Sequence, residues 1–133
     1  MNEVLYINHL KNLWDEKWPA ELPKEPHLPF GEVPLTEYLK KWAKLTPNKP
    51  CIIFYGLEVT FQQLDEWTDS FASYLVSKGL RKGDRVAVFL PNCPQFLIAF
   101  YGILKAGCVH VPVNPMFRKE ELLYELNDTE AEV

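Results

Sequence analysis

At 133 residues the chain has room for one domain with a core of ordinary size, and 47% hydrophobic against 24% charged residues is a globular composition, not a disordered one. A formal net charge of -4 and an isoelectric point near 5.4 leave no basic surface for nucleic acid or an anionic membrane. The first residues have no basic flank and no apolar run long enough for a signal peptide or a transmembrane segment, so a cytoplasmic protein is expected.

Cys51, Cys93 and Cys108 are odd in number, far apart and without C-x-x-C spacing, which suggests buried structural thiols in a reducing compartment. Between Val4 and Trp18 the apolar residues fit a helical face loosely, and a short amphipathic helix is expected over His9 to Lys17. Trp14 and Trp18 lie four apart and would share a face; they could form a docking patch, but rings packed on their own domain are the commoner arrangement. Pro19 to Pro34, PAELPKEPHLPFGEVP, is punctuated by proline and is expected to run extended as a surface strap, packed through Leu22, Leu28 and Phe30.

Leu35, Tyr38, Leu39, Trp42 and Leu45 make one stripe of a helix that Thr46-Pro47 ends, with Lys40, Lys41 and Lys44 on a solvated face. Cys51 to Tyr55, a tight turn at Gly56-Leu57 and Glu58 to Thr60 read as a small hairpin. Thr60 then caps a helix, with Gln63 as its capping-box partner. Phe61, Leu64, Trp67, Thr68, Phe71, Leu75 and Val76 form its buried face, Asp65, Glu66 and Asp69 its solvated side, and Gly79 its stop.

The stretch that follows organises the chain. Arg85 to Leu90 is a short apolar run, expected to be a strand buried on both faces. Pro94 suits a first helical position behind Asn92 or Cys93, and Phe96, Leu97, Phe100, Tyr101 and Leu104 recur at helical spacing up to Gly107. Phe100 is placed against the sheet. Cys108 to Val113 is the second strand, so residues 85–113 form a parallel βαβ crossover. A last helix is expected over Lys119 to Asn127, weakened by the cations Arg118 and Lys119 at its start. The fold class expected is α/β: part of a layered subdomain with a mainly parallel sheet, its crossover preceded by a β-hairpin and helix.

Residues 83–115, GDRVAVFLPNCPQFLIAFYGILKAGCVHVPVNP, closely resemble the "GDRVA…LPN.P.F…A..G.LKAG…VP.NP" region of the adenylate-forming (AMP-binding) family. The upstream LTPNKPCIIFYGLEVTFQQLDEWTDSFASYLVSKGL resembles the lead-in of that family, and RKEELLYELNDTEAEV the helix and strand start after its "NP". The resemblance runs from about Leu35 to Val133, and the proline-punctuated lead-in is most like that of long-chain fatty-acid–CoA ligases. It implies a ligase that joins a carboxylate to ATP as an acyl-adenylate and then to the thiol of coenzyme A, with ATP, Mg2+ and coenzyme A as cofactors of the complete enzyme. It also implies two parts: an N-terminal segment and proline-rich strap over 1–34, and over 35–133 an incomplete N-terminal subdomain that stops before the phosphate-binding loop. The family's Thr-Pro pair is replaced here by Arg118-Lys119.

The chemistry of that reaction needs a Ser/Thr/Gly-rich loop ending in Lys, because backbone amides and small side chains can surround phosphate closely. No such run occurs, and Gly79-Leu80-Arg81-Lys82-Gly83 precedes a strand where a phosphate loop would follow one. The resemblance therefore assigns no catalytic, cofactor-binding or metal residue here. His9, His27 and His110 are scattered, and His110 is expected to be a core histidine bonded to a neighbour. The Asn92 loop and the Asn114-Pro115 loop leave the C-terminal ends of parallel strands, where open α/β sheets bind ligands. Glu130 to Val133 reads as the start of another strand, so the chain is expected to be cut there and to self-associate through an unpaired sheet edge. The partners implied are a fatty acid and the remainder of a ligase chain. The alternative is a stand-alone non-catalytic binding or assembly module of the same fold.

Overall fold

A computed structural model describes residues 2–25, 27–131 and 133; Pro26 of the strap and Glu132 of the terminal run lie outside them. The chain divides into two compact units, residues 1–32 and 33–133.

In the first unit, helix α1 spans Glu3–Lys17, six residues longer at its start than expected. Asn2 explains the difference: its Oδ1 accepts from the Val4 amide at 3.0 Å and its carbonyl from Tyr6 at 3.0 Å, which satisfies first-turn donors that periodicity alone does not reveal. No residue of α1 is buried, and Trp14 and Trp18 pack on one another with ring centroids 4.8 Å apart. The proline stretch is turned, not extended. Leu22 N–H reaches Pro19 O and Gly31 N–H reaches Leu28 O, while Trp18 Nε1 donates to Leu22 O at 2.8 Å. Leu22 and Leu28, expected to pack, are exposed.

The second unit begins with helix α2, Leu35–Leu45, which buries Leu39 and Ala43. Strands β1 (Pro50–Phe54) and β2 (Leu57–Thr60) form an antiparallel hairpin. Phe54 pairs with Leu57, so the turn residues are Tyr55-Gly56 and not Gly56-Leu57. Both have positive φ, 47° and 85°, as a type I′ turn requires to match the twist of its strands. Tyr55 is a poor residue for that conformation and is 98% exposed. Tyr55→Asn is therefore expected to stabilise the chain by about 0.5–1 kcal/mol, read as a raised melting temperature. An unchanged or lower melting temperature would contradict this reading of the turn.

Helix α3 covers Phe61–Ser77 and opens with the expected capping box, Gln63 N–H to Thr60 Oγ1 at 3.2 Å and Thr60 N–H to Gln63 Oε1 at 3.0 Å. Its buried residues are Leu64, Thr68, Ala72 and Leu75; Trp67 and Val76, assigned to that face from the sequence, are exposed. Strand β3 (Arg85–Val88), helix α4 (Pro94–Lys105) and strand β4 (Val109–Pro112) complete the crossover, with β3 and β4 parallel and in register from Arg85↔Val109 to Val88↔Pro112. Both strands are shorter than the apolar runs that signalled them. Pro91 and the bend into α4 end β3 early, and Phe89 is exposed. Val86 and Val88 are buried while Arg85 and Ala87 are half-buried, so β3 is fully covered on one face only. Gly107, at φ 78°, lets Cys108 N–H turn back to Ile103 O at 3.0 Å and closes α4 in a left-handed cap.

The main core joins Leu75, Val86, Val88, Ala99, Ile103 and Cys108; a second cluster joins Leu39, Val59 and Leu64 beneath the hairpin. Phe100 is half-buried and lies edge-on to His110 with centroids 5.0 Å apart, so it is not the residue that seats α4. Ala99, Gly102 and Ile103 do that, because the face meeting α3 needs small or compact side chains. A Cβ on Gly102 would fall 2.7 Å from a ring carbon of Phe71 and 3.1 Å from Thr68 O.

Helix α5, Lys119–Thr129, runs two residues past its expected end. Its start is better capped than the cations suggest, since Glu121 Oε2 accepts from the Arg118 amide at 2.7 Å and Glu120 adds a second carboxylate to the first turn. Glu130, at φ 48°, ends it and binds Arg85 through side chain (2.8 Å) and carbonyl (3.1 Å). Val133 O then accepts from Ala87 N–H at 2.7 Å, on the edge of β3 that faces away from β4.

Candidate functional site

The C-terminal ends of β3 and β4 carry the two loops that the sequence singled out. The Asn92 loop lines a cleft of about 320 Å3 together with Ile52 and Phe54 of β1 and Pro94, Phe96 and Leu97 of the first turns of α4. Its wall is apolar because alternate residues of β1 turn toward α4, while Pro94 supplies a helix start with no amide to satisfy. Cys93 is the N-cap residue of α4, half-buried and with no side-chain bond to the first turn. The second loop stays out of this cleft. Asn114 is spent on its own turn, its Oδ1 accepting from Met116 N–H and its carbonyl from Phe117 N–H, each at 3.0 Å.

The cleft has the shape and lining to hold an apolar body, and among the described residues no carboxylate, histidine or cation lines it. Among the described residues no three His, Cys, Asp or Glu side chains come together as a metal site. His9 and His27 are exposed. His110 departs from its expected role: Nε2 is buried without a hydrogen-bond partner among the described residues, and burial lowers its pKa. Burial raises the Cys51 thiol, and raises Cys108 with a further push from Asp84, so both stay protonated. Each donates to a carbonyl, Cys51 to Val59 at 3.3 Å and Cys108 to Arg81 at 3.4 Å.

One polar cluster escaped the sequence reading. Lys105, at the last turn of α4, has a side chain only 5% exposed. Its Nζ donates to Asp65 Oδ1 at 2.5 Å, Asp69 Oδ1 at 2.7 Å and Asp65 O at 3.1 Å. Asp65 is thus drawn out of the solvated side of α3, while Asp69, though bonded to Lys105, stays exposed. Their i, i+4 spacing was the available signal, since two carboxylates one turn apart can share one cation. The cluster fixes α4 on α3 and so places the first turn of α4 beside the hairpin.

Residues 39–133 match the model of the AMP-binding enzyme family. The chain belongs to that family. The chain is similar to the long-chain-fatty-acid–CoA ligase of Bacillus subtilis, 41% identical over 120 residues that cover 90% of this chain and 21% of the relative. The ligase of the same name from Haemophilus influenzae is 43% identical over 123 residues, 92% of this chain and 22% of the relative. The chain spans about a fifth of the length of these curated relatives. Among solved structures, a fatty acyl CoA synthetase of Mycobacterium tuberculosis superposes with a TM-score of 0.69 at 30% identity, covering 72% of this chain and 20% of that one. The N-terminal subdomain of NpsA from Klebsiella oxytoca, solved with 3-hydroxyanthranilyl-AMSN, gives 0.70 at 26% identity over 73% of this chain and 25% of that one. The AMP-binding fold of this chain is therefore the α/β arrangement described above, and no helix among the described residues is long and apolar enough to cross a membrane.

Proposed function

We propose that this AMP-binding chain serves an ATP-dependent, AMP-forming acyl-CoA ligase of the long-chain fatty-acid type, as part of its N-terminal α/β subdomain over residues 35–133. The single observation that carries the reading is the family match over 39–133, joined to relatives named as long-chain-fatty-acid–CoA ligases at 41% and 43% identity. In this reading ATP, Mg2+ and coenzyme A act on residues outside this stretch, the substrate is a fatty acid, and the principal partner is the remainder of the ligase chain in the cytoplasm. The contribution of the stretch is architectural: it supplies the hairpin, α3 and the crossover on which the reactive parts are mounted. Self-association of the stretch when it stands alone also belongs to this reading, although Val133 O already takes up the Ala87 amide on the edge of β3 away from β4.

The test is pyrophosphate exchange into ATP with a long-chain fatty acid, run on the 133-residue chain and on the product of the same reading frame carried past the Val133 codon. The short chain is expected to give no exchange, since its sequence holds no phosphate loop, and the longer product to give fatty-acid-dependent exchange. A stop codon directly after Val133, or an inactive longer product, would instead favour a stand-alone module with the same fold.

A further inference from the structure

Strand β4 contributes one polar side chain to the contact with α4, and it is held in an unusual way. His110 lies between Phe96 and Phe100, one turn apart on α4, with centroids 5.5 and 5.0 Å away and ring planes at 90° and 80° to its own. Its register partner on β3 is Val86, a core residue. Nε2 is buried and has no partner among the described residues. A neutral imidazole can tolerate this at the cost of one unmade hydrogen bond; in this half-buried ring an imidazolium would carry an N–H at the buried Nε2 with no acceptor among the described residues.

Several titratable and charged groups of the surrounding elements are committed elsewhere, while Tyr101 of α4 lies edge-on to Phe100 with centroids 5.2 Å apart. Just before β4, Cys108 lies two residues ahead of His110 and donates to Arg81 O. At the entry to β3, Asp84 accepts from the Arg81 amide at 2.7 Å, and Arg85 is paired with Glu130. On α4 and α3, Lys105, Asp65 and Asp69 are closed on each other. Desolvation alone accounts for the lowered basicity of His110, with no carboxylate contributing.

We propose that His110 is an acid-sensitive latch between α4 and the β3–β4 sheet: neutral, it fills the slot between Phe96 and Phe100, and on taking a proton from solvent it drives helix and strand apart. The sign follows from linkage. A histidine harder to protonate in the folded than in the unfolded chain contributes stability that is full above the ordinary histidine range, near pH 6.5, and is lost as pH falls through that range to the lowered folded value. Because Phe96 also lines the cleft beside Asn92, loosening this contact would disturb the cleft as well as the crossover. The proposal stands apart from the ligase reading and holds or fails without it.

Two measurements on the 133-residue chain test it. In proton NMR, the C2–H signal of His110 is expected to titrate at lower pH in the folded chain than in the same chain unfolded in urea. In urea unfolding, the folded-to-unfolded ratio of the parent is expected to fall as pH drops, by up to about tenfold for each unit separating the folded and unfolded pKa values. His110→Val should flatten that part of the pH dependence. If the valine chain does not fold, the NMR titration of the parent decides alone. A folded His110 midpoint equal to or above that of the unfolded chain, as rings stabilising an imidazolium would produce, overturns the latch. So does a His110→Val chain with the parent's full pH dependence.

Discussion

Ile103→Ala is expected to cost about 3–5 kcal/mol, a large fraction of the stability of a chain this size. Ile103 is fully buried where α4 meets the sheet, in one cluster with Leu75, Val86, Val88, Ala99 and Cys108. Removing three carbons there forfeits their transfer energy and leaves a cavity that Gly102, already as close to α3 as a backbone can come, cannot close by moving inward. Phe100→Ala should cost less, about 1–2 kcal/mol, although it removes a larger group, because Phe100 is half-buried and rests on His110. Urea unfolding with an unchanged slope is the measurement. The reverse order of the two costs would show that α4 is turned differently on the sheet.

The second large effect concerns the cation beneath α4. Asp65→Ala is expected to cost about 3 kcal/mol, because Lys105 is nearly inaccessible and would lose its shortest partner while keeping its charge. Asp69→Ala should cost under about 1 kcal/mol, since Asp69 is 61% exposed and water screens what it contributes. Lys105→Met tests the same cluster from the other side. It removes the nearly inaccessible charge and keeps an apolar stem of similar length, so it should be milder than Asp65→Ala, because the carboxylates left behind, 23% and 61% exposed, are reached by water. Unfolding midpoints of the three variants check this ranking. Equal losses for Asp65→Ala and Asp69→Ala would mean that the two carboxylates share the load evenly.

Much of this AMP-binding fold was legible from residues in order. Helix α2, the Thr60–Gln63 capping box, the α4 start at Pro94 and the stops at Gly79 and Gly107 all rest on interactions within a few residues, so local chemistry decides them. The parallel pairing of β3 with β4 was legible for a related reason: two apolar runs joined by a helix have few other ways to bury themselves. The family, too, was readable, because its signature is a pattern of residue types along the chain.

Tertiary structure decided the rest. Phe100 and Ile103 both sit among the apolar residues of α4, and only the approach of α3 at Gly102 determines which of them is buried. The hairpin turn slid by one residue because register is set by the pairing of Phe54 with Leu57 across the strands, not by where the glycine stands. Asp65 read as part of a wet face, and Lys105 was not singled out at all, until two helices forty residues apart in sequence were laid together. His110 was expected to have a bonded neighbour, and the packing of Phe96 and Phe100 over its ring left Nε2 without one among the described residues. Propensity and capping are properties of a short stretch of backbone; burial and electrostatic pairing belong to the surfaces that stretches present to each other, and those exist only once the chain has folded.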